Sequence, residues 1–147
     1  MREILFKAKT CNGEWVQGLL AHKDNKWCIS NKVGMPFAFE VRPETICQYT
    51  GSKDKNDKKI FEGDLILLMD RWYCAVEYDV ENARFIFNGE YIKNEDEDEV
   101  THSSFAPYYQ NDVEVIGNIF DNPELLNYVD NEASQQAHQE VLKSATE

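Results

Sequence analysis

Over the first three quarters of this chain alternation of apolar and polar residues dominates, a spacing that suits an extended strand with one face in a core and suits a helix poorly. Ile4, Phe6 and Ala8 fall on one face of the first segment, and Glu3, Lys7 and Lys9 on the other. Trp72, Cys74, Val76 and Tyr78 share a face in the same way. The run Asp64-Leu65-Ile66-Leu67-Leu68-Met69 breaks the alternation because nearly every position is apolar, the mark of a strand covered on both sides. The expected class is therefore mainly β, with antiparallel strands forming a curled sheet or a partly open small barrel.

Turn chemistry divides the pattern into units. Asn12-Gly13 predicts a type I′ turn, because both residues tolerate positive φ, and so a hairpin of Ile4–Lys9 with Trp15–Ala21. A polar turn at 23–25 leads to a third strand at Trp27–Ser30. Asp70-Arg71 is expected to join 64–69 to Trp72–Tyr78. Arg84–Phe87 supplies another strand with Phe85 and Phe87 inward, and Asn88-Gly89 a further turn into Glu90-Tyr91-Ile92. Five carboxylates crowd residues 94–99 and repel one another, which favours a solvated loop. Val113–Phe120 reads as the last strand. Asn122 and Pro123 then form a helix-opening pair, predicting a short helix over Pro123–Val129. Residues 127–147 are expected to be a helical extension with a thin apolar stripe of Ala133, Ala137 and Val141.

The 147 residues suit one domain with its own core, set at residues 1–126. No apolar run approaches the ~18 residues of a membrane helix, and the acidic, short apolar start does not resemble a secretory signal, so the expected location is the cytoplasm. Cys11, Cys28, Cys47 and Cys74 are spaced 17, 19 and 27 apart, without a paired-cysteine motif, and are expected to be free thiols rather than metal ligands. Net charge is -12, unevenly spread: residues 1–60 carry 11 basic and 7 acidic side chains (+4), and residues 61–147 carry 4 and 20 (-16). So acidic a chain repels phosphate backbones, which argues against direct nucleic-acid binding.

One stretch identifies relatives. Val41-Arg42-Pro43-Glu44-Thr45-Ile46-Cys47-Gln48-Tyr49-Thr50-Gly51, then Asp54-Lys55-Asn56 and Ile60-Phe61-Glu62-Gly63-Asp64-Leu65-Ile66, resembles the YopX family of phage and prophage proteins. Gly13-Glu14-Trp15-Val16-Gln17-Gly18 and residues 115–126 extend the resemblance over about 1–126. It implies a mostly β fold with no established activity or catalytic residue. Relatives commonly have glycine at the positions of Cys47 and Asp57, the second in a turn where glycine would relieve strain.

The signature residues Gln48, Tyr49, Thr50, Gly51, Glu62, Gly63 and Asp64 are candidates for a structural corner or, alternatively, for a partner-contact surface. Nothing else carries clear chemistry. Residues 54–58 alternate oxygen-bearing side chains like the start of a calcium loop, yet Lys58 stands at a ligand position and the required glycine is missing, so a solvated turn is the expectation. Glu62 and Asp64 form an acid–base pair only on paper. His22, His102 and His138 are scattered. No catalytic, metal or cofactor site is assigned. These features point to a non-enzymatic binding or assembly protein that self-associates, with Lys53, Lys55, Lys58 and Lys59 meeting the acidic run head to tail. Host or phage proteins are the other possible partners. The alternatives are an acidic mimic of nucleic acid that inhibits a host DNA-binding protein and, behind it, a hydrolase built from distant carboxylates.

Overall fold

The computed structural model describes residues 1–30, 38–88 and 110–126, with the backbone of 103–104. The Gly89 turn and the strand after it, the acidic run, His102, His138 and the extension over 127–147 lie outside the described residues.

The architecture is mainly β and antiparallel, as the alternation requires, and it takes an open form. β1 (Phe6–Lys9), β2 (Trp15–Lys23), β3 (Lys26–Ser30), β4 (Phe39–Glu40), β5 (Cys47–Lys53) and β6 (Lys59–Phe61) make a first sheet in the order β4-β3-β2-β1-β5-β6. β7 (Asp64–Leu68), β8 (Trp72–Asp79), β9 (Arg84–Asn88), β10 (Ser103–Ser104) and β11 (Val113–Asn118) make a second, in the order β10-β9-β8-β7-β11. Neither sheet closes on itself. The chain crosses from one to the other at Glu62-Gly63.

The turns follow the expected places more closely than the expected types. At the first hairpin, Gly13 N–H donates to Thr10 C=O and Gly13 has φ +84, while Asn12 is not among the positive-φ residues. That is a three-residue loop with glycine at its left-handed position, not a type I′ turn. The two-residue loop with both φ positive occurs instead at Asp24-Asn25, closing Lys23 on Lys26. Between β7 and β8 the positive-φ pair is Met69-Asp70 rather than Asp70-Arg71, so Met69 leaves the strand and is exposed. Asp57 has φ 63, the backbone conformation for which glycine is suited at that turn.

The second sheet is apolar on both faces. Ile66, Leu68, Cys74, Val76, Phe87 and Val113 pack with Ile60 on one side. Leu65, Ala75 and Leu126 pack with Tyr73, Ile116 and Ile119 on the other, which explains the unbroken apolar run of β7. The first sheet buries Ala8, Ile29 and Val41 on its outer face. At the C-terminal side, Pro123–Leu125 form one turn of 3-10 helix, Asn122 supplies no side-chain cap, and Leu126 is already extended (φ -89, ψ 137). The predicted helix thus stops after three residues, and Leu126, extended and buried, packs with Leu65 and Ala75. No helix among the described residues is long and apolar enough to cross a membrane.

Candidate functional site

The inner face of the first sheet meets the second sheet at a charged joint. Register places Lys7 opposite Gln17, Lys9 opposite Trp15, and Cys47 opposite Lys7, so these side chains share one face of the sheet. Alternation alone marks Lys7 and Lys9 as solvent-facing. Instead their side chains are 13% and 16% exposed, because the second sheet covers that face. Lys7 Nζ donates to Asp64 Oδ1, and its ammonium lies 4.9 Å from the ring centres of both Trp15 and Phe61. Each such contact attracts the cation toward the ring's electron-rich face. Lys9 Nζ donates to Asp121 Oδ1, Trp15 Nε1 donates to Asp121 Oδ2 at 2.7 Å, and the Phe120 ring stands edge-on to Trp15.

Asp64, Gly63 and Glu62 of the signature lie at this joint, and the others lie along β5. Asp64 is 1% exposed and its second oxygen accepts Phe61 N–H at 2.8 Å. Burial pushes its carboxyl above the ordinary value of 3.8, while the Lys7 ammonium and the Phe61 amide pull it back. Gly63 (φ +83) donates its N–H to Val76 C=O and accepts Ile119 N–H, linking three segments through one residue. A Cβ there would meet Cys47 Sγ at 3.4 Å and the Phe120 ring at 3.6 Å, ordinary contact distances, so it is the backbone conformation that calls for glycine. Glu62 N–H donates to Gln48 C=O, and burial, with some repulsion from Glu77, raises the Glu62 carboxyl while the Gln48 backbone amide lowers it. Tyr49 is buried and its ring lies 5.5 Å from that of Phe61. Thr50 Oγ1 donates to Ile60 C=O, and Gly51 (φ +91) sits where β5 carries extra residues relative to β6. Glu62 and Asp64 do not share a strand face: the Gly63 turn separates them, and they meet different partners.

A second junction lies at residues 54–58. The sequence suggests a solvated turn, but Asp54 is fully buried. Its Oδ1 accepts Asn56 and Lys58 N–H and its Oδ2 accepts Val115 N–H, all at 2.9 Å. The carboxylate therefore closes its own turn and anchors that turn on β11, while Lys55 N–H reaches Val113 C=O. Three of the basic-cluster lysines are also paired within the chain: Lys53 with Asp57, Lys55 with Glu114 and Lys59 with Glu3.

Chemically, this arrangement joins segments of the two sheets through paired charges and backbone hydrogen bonds. Burial lifts the Cys47 thiol to about 12 and that of Cys74 to about 11, so both stay protonated at neutral pH. Cys11 is exposed. The described residues contain no cluster of three or more potential metal ligands. Sequence reasoning missed the roles of Lys7, Lys9, Trp15, Asp54 and Asp121; the available hints were that Asp54 lies inside the signature itself, and Trp15 and Asp121 inside the flanking stretches that carry the family resemblance.

Comparison with known proteins agrees with that resemblance: a family described as YopX protein matches residues 6–127, a span that contains both junctions. No curated protein matches the chain.

Proposed function

The chain belongs to the YopX family, and from that premise we propose that it is a non-enzymatic binding or assembly protein of phage or prophage, working by self-association in the bacterial cytoplasm. The observation that carries this reading is the use made of its central carboxylates. Asp64 serves Lys7 and a backbone amide, Asp54 serves three backbone amides, and Asp121 serves Lys9 and Trp15. A general acid or base must be free to exchange a proton with a substrate, whereas these groups hold segments together. Stiff β surfaces remain for contacts with another protein. Light scattering across salt concentrations tests the reading: concentration-dependent growth in mass supports it, and a monomer at every ionic strength removes self-association.

A second reading is favoured by the -16 charge of residues 61–147. Carboxylates on a β scaffold could occupy the basic channel of a host DNA-binding protein. Competition against DNA cellulose with host lysate tests it, and failure to displace any DNA-binding protein counts against it.

A further inference from the structure

Among the described residues, the inner face of the first sheet is covered over only part of its width. β1 pairs with Trp15–Gly18, and the remainder of β2, Leu19–Lys23, pairs with Ser30–Lys26 of β3, which β4 borders in turn, to form an arm beyond β1. On the arm's inner face the register aligns Leu19 with Ser30 and Ala21 with Cys28. Leu19 is 43% exposed, Ala21 is exposed and Cys28 half-buried. Among the described residues, the other large exposed apolar side chains lie elsewhere: Met1 and Ile4 near the chain start, Met69 and Val80 in turns, and Phe39, 46% exposed, on the opposite face of the arm beside Ile29. Tyr78 stacks against Phe85. Leu19 is different, because it lies mid-strand on the same face that the second sheet covers at Trp15.

We propose that two copies of the chain meet through this open strip, with Leu19, Ala21 and Cys28 of one copy against the same residues of the other. The inference rests on the self-association reading above and names its surface. Charge favours a second copy at this place. Two chains of net charge -12 repel each other through most approaches. The strip itself is uncharged from Gln17 to Ala21, and its border carries both signs: Lys23 and Lys26 at the end of the arm, and Glu40, aligned with Cys28 and paired within the chain with Lys26 at 3.7 Å, the side chains of that pair being 60% and 50% exposed. A two-fold contact needs such a self-complementary border, since Lys26 of each copy can then reach Glu40 of the other.

Sedimentation velocity over a concentration series, with wild type beside L19E/A21E, tests the surface. The expected result is a dimer for wild type and a monomer for the variant, with thermal melting unchanged because both positions are exposed. A wild-type dimer that L19E/A21E leaves intact overturns this surface while sparing self-association. A wild-type monomer at all concentrations overturns both. Should L19E/A21E melt early, the border decides: K26E weakens the dimer and K26E/E40K restores it, whereas no change in either overturns the proposal. Labelling of Cys28 with a maleimide should also slow as protein concentration rises, and a rate independent of concentration contradicts the contact.

Discussion

Asp64 and Asp121 each take a lysine from the same strand, two residues apart, yet the joint treats the two carboxyls in opposite ways. Asp64 is 1% exposed and burial holds its carboxyl above the ordinary range. Asp121 is 41% exposed, and the Lys9 ammonium, with Asn118 and Trp15, brings its carboxyl down to about 2. An ammonium partner alone therefore does not set the sign. Where water is excluded, the cost of ionising the acid exceeds the attraction of one lysine; where water remains, the hydrogen bonds win.

The sharpest way to break this contrast is to remove the buried cation. Lys7→Met should destabilise the fold by about 3–5 kcal/mol in urea unfolding, because Asp64 is left buried without its partner. K7M/D64N should recover most of that loss, and a double variant as unstable as K7M would show that Lys7 acts through packing. Asp54→Ala comes next, since it orphans three amides that a charged acceptor now satisfies; the expected loss is about 3 kcal/mol. At the exposed end, Lys9→Met should cost no more than about 1 kcal/mol, diminishing with added salt.

The pH profile separates the two acids further. Asp121 has a folded value below 3.8, so the stability it contributes is complete above 3.8 and is lost as pH falls through about 2. Asp64 has a folded value above 3.8, so its contribution runs the other way and declines as pH rises through that raised value. Unfolding curves of K9M should lose the first slope and keep the second. Equal slopes in K9M and wild type below 3.8 would refute the assignment to Asp121. The smallest effect concerns the thiols: in the native protein Cys11 should react with Ellman's reagent well before Cys47 and Cys74, whose burial keeps them protonated.

How far the fold was legible depended on how local its cause was. Gly13 and the Asp24-Asn25 pair announce turns because positive φ is a property of single residues. The continuous apolar run at Leu65–Leu68 announces burial on both faces for the same reason. Asp54 was illegible: an acid among lysines looks solvated, and its third amide comes from Val115, 61 residues away. Pro123 correctly marked a helical turn, but the length of that turn was set by Leu126 joining the second sheet's core.

The chain's own order of residues determined that it would be β, where it would turn, and which family it belongs to, since alternation, φ preference and a contiguous signature are properties of neighbours along the chain. Only the tertiary structure decided that the polar face of β1 lies inside. A lysine on a strand has the same local sequence whether water or a second sheet stands over it, so the partners that make Lys7 and Lys9 part of a joint became visible only when distant segments were brought together.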